Sequence, residues 1–429
     1  MATLTVYSAP GSVVPTTGFW TRARKAGATF VGLGVLAAVL FGALAKAGKD
    51  ARFTFTVDIT GSHLDIPARA GAIGFGAACA VAGVLLLASA RMSRLLVLLT
   101  SLALAFLVLS FLCWQASVGR NSNALPLGQL SRATVKAALP LIFGAIAGVL
   151  CERSGVINVA IEGQLLTGAF AGALFGTIFT SSWVGLVASA LGGLFISALL
   201  AVLAIRYLVD QVVLGVVLNL LALGLTGFMF TQLMAPHQDE YNFVKVFPIW
   251  SVPGLSRIPV LGPALFQGTV FLYLAIVLVV VVHFGLFQTR WGLRTRAVGE
   301  HPTAADTVGI RVRGTRYRNV LIAGLIAGIG GGFLVLGDVG NFNANQTNGK
   351  GFIALAALIF GRWSPIGATL AALLFGFTTA LAQVLGSIGS AIPQEFLSML
   401  PYAVTIVAVA GLVGRVRAPA ADGQPYVKG

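Results

Sequence analysis

Residues 290–318, RWGLRTRAVGEHPTAADTVGIRVRGTRYR, carry seven arginines against two acids, Glu300 and Asp306. On each side lies a run too apolar to be left exposed, residues 269–289 before it and 319–337 after it. In a bilayer such flanks are spanning helices, and arginine-rich connections between spans stay on the cytoplasmic side. Inside the stretch, residues 302–309 predict a short helix. Pro302 suits the first helical position, Ala304, Ala305 and Val308 share one face, and Gly309 fits the exit. A small apolar face on a cytoplasmic hairpin has no lipid to enter, which predicts docking on another protein.

The rest of the chain agrees with that reading. Of its 429 residues 57% are hydrophobic and only 10% charged, and the mean hydropathy is +0.92. A soluble domain has about a quarter of its residues charged, so composition predicts an all-α, polytopic transmembrane helical bundle. The 53 glycines suit helices whose backbones approach closely. A net charge of +15 would also suit a nucleic-acid binder, but here the charge sits in loops between apolar runs. No nucleic acid is expected. Cys79, Cys113 and Cys151 lie in or beside apolar runs without metal spacing, as small buried hydrophobes do.

Taken in order, residues 1–26 form a polar cytoplasmic tail ending in Arg22, Arg24 and Lys25. An uncleaved first span follows at 27–45, then runs at 70–90 and 95–113, with a basic turn from Arg91 to Arg94 between them. Residues 27–132 thus make an N-terminal extension of about three spans, and 133–413 a core membrane domain. Further runs cover 137–151, 159–179, 184–205, 212–234, 269–289, 319–337, 352–360, 366–385 and 396–413. Residues 414–429 are expected to be a flexible, basic cytoplasmic tail. Counting each run as a crossing gives twelve, with both ends inside and most Lys and Arg in the inside segments. Arg120, Arg132 and Lys136 are exceptions to that bias.

Two runs, 137–151 and 352–360, are short for a span at about 1.5 Å per residue. Each precedes a tight polar turn with one arginine, Arg153 or Arg362, and then a long Gly/Ala-rich helix. Short or broken helices in matching positions point to internal symmetry with the transport path near the break. Glu162 is the one acid placed inside a span; it is read as a path or gate residue, or as a structural partner of Arg153. Asn158, Gln164, Gln211 and Asn219 either offer hydrogen bonds to a polar solute or tie helices together. His283 reads as a packed residue. Asn348-Gly-Lys-Gly351 is not a phosphate loop, since Ala344 and Gly351 stand where glycine and Ser/Thr are needed. With no nucleophile–base pair in view, the chain moves something rather than transforming it.

Three stretches carry a family resemblance: ERSGVINVAIEG at 152–163, VGEHPTAADTVGI at 298–310 and GFIALAALIFGRWSP at 351–365. Together they resemble permease subunits of ATP-binding-cassette importers in the branched-chain amino acid and ribose group. DQVVLG at 210–215 and NLLALG at 219–224 bring the chain closest to nucleoside-uptake permeases that work with basic-membrane-protein lipoprotein receptors. The resemblance covers roughly residues 133–413. It implies a type II importer fold, a second and paralogous permease subunit, an ABC ATPase on the cytoplasmic hairpin and an extracytoplasmic lipoprotein that delivers a small-molecule substrate. No cofactor is implied for this chain, because ATP belongs to the partner subunit. The coupling contact falls on Glu300, His301, Pro302, Thr303, Ala304, Ala305, Asp306, Val308 and Gly309. His301 replaces an expected Asn and is read as a weaker cap.

A sugar or branched-chain amino acid is the alternative cargo, since kinship of fold does not fix substrate. A secondary transporter would share broken helices but would want more intramembrane acids for coupling ions. A structural or assembly protein would need no polar pathway.

Overall fold

The structure, a computed structural model, describes residues 22–56, 62–88, 93–119, 124–390, 392–407 and 417–428. Most of the N-terminal tail, Arg91, Arg120 and the end of the last apolar run lie outside the described residues. Among those described, nine helices are long and apolar enough to cross a membrane. Three of the twelve expected runs are not among them. The run at 159–179 becomes a helix with polar Glu162 and Gln164 at its start. The run at 352–360 is short, and the last is followed only to Val407.

The chain divides into two compact units. The first is built on α1 (Arg22–Leu44), α2 (Ala68–Ala88) and α3 (Ser93–Val118). Small residues set the α1–α2 distance: a Cβ on Gly76 would lie 2.6 Å from the Ala38 nitrogen, and one on Gly83 2.6 Å from that of Val31. Ser110 on α3 donates to the Ala72 carbonyl at 2.7 Å, and Phe41 stacks on Trp114 with ring centres 5.1 Å apart.

The second unit begins with α4 (Leu127–Glu152). At 26 residues it is a full span, so the run at 137–151 is not a short helix. Pro140 lies inside it and is buried. There follow α5 (Ile161–Ile178), α6 (Ser182–Ala201) with a widened π-type turn at Val202–Arg206, and α7 (Gln211–Met229) with another at Phe230–Met234. Asp210 starts α7 by accepting from the Val212 and Val213 amides. The connection after α7 carries α8 (Gln238–Tyr241), α9 (Leu261–Leu265) and a two-residue antiparallel pair, Trp250 opposite Gly268.

Next come α10 (Val270–Gln288), α11 (Arg290–Glu300), α12 (Pro302–Thr307) and α13 (Val312–Leu334), the last widening at Val335–Val339 before Gly340 ends it with φ +85°. Finally α14 (Lys350–Phe360), α15 (Pro365–Ser387) and α16 (Gln394–Val407) close the membrane part.

The core of this unit is the contact of α5, α6 and α13. Gly168, Gly193 and Gly328 meet there; a Cβ on Gly168 would sit 2.6 Å from the Gly328 Cα, and one on Gly193 2.5 Å from it. Backbones this close leave no room for any side chain. The spanning windows of α4 and α13 are 83% and 78% buried, so these helices are interior. Those of α7 and α10 are 33% and 28% buried and present Val213, Leu220 and Val281 outward, as lipid-facing helices do. All three cysteines are free and buried. Residues 417–428 are not a loose tail: the Ala421 amide donates to the Gly299 carbonyl at 2.9 Å, and Tyr426 is buried.

Candidate functional site

After Glu152 the chain leaves α4 through Gly155 (φ +84°) and runs without a ladder of its own until α5. Buried backbone groups on such a segment need partners. The four predicted amide side chains supply them or brace one another. Gln211 accepts from the Ile157 amide at 2.7 Å; Asn219 accepts from the Gly163 amide at 2.8 Å and donates to the Val159 carbonyl at 2.9 Å. Asn158 and Gln164 bond each other at 3.1 and 3.2 Å, and Gln164 also donates to Ser197 Oγ at 2.8 Å. All four are buried. Of the two readings left open by the sequence, the geometry is that of ties between helices.

Glu162 belongs to the same knot but not to Arg153. Its Oε1 accepts from Thr347 Oγ1 at 2.6 Å and the Gly349 amide at 2.7 Å, and its Oε2 from the Gly351 amide at 2.5 Å. The carboxylate thus sits on the positive end of α14, where free amides and the helix dipole favour an anion. A Cβ on Gly351 would lie 2.5 Å from the Glu162 Cα, which is why glycine stands there. The Asn348–Gly351 stretch that imitates a phosphate loop turns its amides on the chain's own carboxylate.

Arg153 instead joins the two arginine-bearing turns. Its Nε donates to the Trp363 carbonyl at 2.8 Å and its Nη2 to that of Arg362 at 3.4 Å, while the Trp363 indole donates to Glu152 Oε2 at 2.5 Å. The guanidinium lies 5.8 Å from the Phe287 ring centre. Burial pulls its pKa below the usual value, with the Glu300 carboxylate working the other way.

In the hairpin, Pro302 occupies the first turn of α12 and Gly309 leaves it with φ +83°, as expected. Two details differ. His301 makes no side-chain cap bond, and Ala305 is turned inward, 4% exposed, against Val298 and Val312. Ala305 is therefore not on an outer docking face. Thr303, Ala304, Val308 and Gly309 are exposed, with Val308 at 75%. Glu300 accepts from the Ala420 amide at 3.2 Å, and Asp306 is half-buried.

The second unit also holds a cavity of about 680 Å³, with a neighbouring one of about 370 Å³ that shares Ala133, Lys136, Phe333 and Asp338. Lys136 Nζ and Asp338 Oδ1 meet at 2.5 Å on this shared wall, each side chain partly exposed. Phe247 and Leu139 line the larger cavity, Gln346 and Gln383 the smaller. None of Asn158, Glu162, Gln164, Gln211 and Asn219 lines either one. Glu152 and Asp338 fall at the ends of span-length helices, whereas α5, which carries Glu162, is not among the nine. The readable signal was the spacing of Gln129, Arg132, Ala133 and Lys136, which share one face of α4.

Residues 129–409 match the family described as branched-chain amino acid transport system / permease component. The chain belongs to this family. Among related permeases, a guanosine ABC transporter permease protein from Bacillus subtilis, NupQ, is 44% identical over 310 residues, covering 69% of this chain and 96% of that protein. A nucleoside ABC transporter permease protein from Lactococcus lactis, NupC, is 43% identical over 298 residues, 67% of this chain and 93% of that protein. A second guanosine permease protein of Bacillus subtilis, NupP, is 28% identical over 277 residues, 62% of this chain and 77% of that protein. No solved structure matches this permease. Among its described residues, no cluster of three or more His, Cys, Asp or Glu side chains is placed to hold a metal ion.

Proposed function

We propose that this permease is the membrane subunit of an ATP-driven ABC importer that moves a nucleoside. The reading is carried by the 44% and 43% identity to a guanosine and a nucleoside permease, over nearly their whole lengths. An extracytoplasmic lipoprotein delivers the substrate, and ATP is bound and hydrolysed by a separate subunit. The permease mate is a paralogue; two guanosine permeases of one organism, at 44% and 28% identity, support that pairing. The hairpin of α11 and α12 is cytoplasmic, as its arginines require, and meets the ATPase through Ala304 and Val308. Both termini lie on that side.

The solute passes by the cavity on α4 and α13. Lys136 and Asp338 are paired with each other, so their charges are mutually screened. The wall also offers rings (Phe247, Phe333), neutral hydrogen-bonding groups (Gln129, Gln267, Gln346) and two further cations, Arg132 and Lys350. The rings and amide groups suit a solute with a flat ring and hydroxyls. The test is uptake of labelled guanosine by cells whose own nucleoside uptake is deleted and which carry this permease with its partners. Excess unlabelled nucleoside should abolish the signal while ribose and leucine leave it. Absence of guanosine uptake, with uptake of labelled leucine or ribose by the same cells, would reassign the cargo.

A further inference from the structure

The C-terminal segment 417–428 lies against the hairpin and against the turn that follows α4. Its Ala421 amide donates to the Gly299 carbonyl at 2.9 Å and its Ala420 amide to Glu300 Oε2 at 3.2 Å, both at the end of α11. The Gln424 carbonyl accepts from Arg316 Nη1 at 2.9 Å, and the same guanidinium reaches the Ser154 carbonyl through Nε at 3.2 Å. Arg316 is only 2% exposed, so one buried arginine of α13 joins the segment to the α4–α5 connection. At Gly423 the segment runs so near Ile157 that a Cβ would lie 2.6 Å from the Ile157 Cδ1. Tyr426 then enters an apolar cluster with Val298 of α11, Ala305 of α12 and Val312 at the start of α13.

A helix of six residues is too short to hold itself, since isolated helices below about 12 residues are marginal in water. What keeps α12 in place is packing beneath it. Ala305 is its one buried residue, and the Tyr426 ring is the largest side chain in the cluster that receives it. We infer that the segment 417–428 is a positioning element of the transport cycle. Tyr426 braces the inner side of α12, and Arg316 with the segment's backbone ties the hairpin to the turn after α4. Force applied to the outer face of α12 then reaches α4 and α5 instead of bending the hairpin. The inference rests on the proposed role of α12 as the contact with the ATPase.

Three variants test it in the complete reconstituted transporter: Tyr426→Ala, Tyr426→Phe and, on the outer face, Val308→Asp. Membrane insertion, retention of the ATPase and substrate moved per ATP hydrolysed are measured for each. Tyr426→Ala should insert normally and move at least about tenfold less substrate per ATP, the scale on which a displaced contact acts. Tyr426→Phe should fall between wild type and Tyr426→Ala, because the ring still fills the cluster while the hydroxyl's hydrogen bond to Asp306 of α12 is lost. A normal ratio in Tyr426→Ala, an equal loss in Tyr426→Phe, or failure of Tyr426→Ala to insert would each overturn the inference. Val308→Asp separates the two ideas. If it is harmful while Tyr426→Ala is silent, only the positioning role falls; if it is silent too, α12 is not the contact.

Discussion

At the scale of single residues, charge in this permease is spent on holding backbone. Glu162 serves three donors from the start of α14, and a charged acceptor strengthens each bond. Hydrogen bonds to charged groups contribute about 1.5–3 kcal/mol each, and Gln keeps only one carbonyl oxygen for three donors. Glu162→Gln should therefore cost about 2 kcal/mol or more and lower the unfolding temperature in detergent by several degrees. An unchanged melting curve would remove the capping role. Asp422 behaves differently. Burial pushes its carboxyl up to about 7 from 3.8, against the Gly423 amide and the Arg316 guanidinium, which favour the charged form; Glu152 of α4 faces it. Docking therefore favours the protonated carboxyl of this pair more than a freed segment does. Docking is strongest below the free value, weakens as pH rises between the two, and has lost this contribution above about 7. Exchange of the Ala421 amide, corrected for intrinsic rate, should be better protected near pH 6 than near pH 8. Asp422→Asn should flatten that difference; equal protection at both pH values in the wild type would contradict the account.

At the scale of elements, small residues decide which helices meet. The α5–α6–α13 contact closes on Gly328, where a Cβ would be 2.9 Å from the Gly193 nitrogen. Backbone cannot give way as a side-chain tip can, so Gly328→Leu should prevent assembly of the second unit. Solubilised protein would elute as aggregate and lose protease resistance; a monodisperse, resistant variant would show that these helices pack elsewhere. Element ends were legible in the sequence where local chemistry sets them. Pro302 and Gly309 bound α12 because fixed φ and positive φ are local requirements. The orientation of α12 was not legible. Ala304, Ala305 and Val308 form one stripe by spacing, and only Val298, Val312 and Tyr426, distant along the chain, turn Ala305 inward. The length of α4 was hidden for another reason. Gln129, Arg132 and Lys136 make its first half look like a loop to a hydropathy window, whereas they face a cavity. Glu162 was seen as a costly charge, but its partners lie 185 or more residues ahead, so Arg153 was the nearer guess.

At the scale of the whole molecule, composition and the arginine-rich hairpin already implied a polytopic membrane protein, and three motif stretches resembled a permease. The family match over residues 129–409 begins at the head of α4, so it covers α4 to α16 and leaves α1–α3 and the segment 417–428 outside it. Within the second unit, an α12 with an exposed outer side, a buried segment beneath it and a cavity on α4 and α13 are the parts on which the proposed transport cycle would run. The proposed function requires that ATP hydrolysed by a separate subunit move a nucleoside through this chain. The direct measurement is accumulation of labelled guanosine by vesicles holding this permease with its permease mate, its ATPase and the receptor. The account predicts uptake that requires both ATP and the receptor and that persists when the proton gradient is collapsed. Uptake that proceeds without ATP and vanishes with the gradient would contradict it.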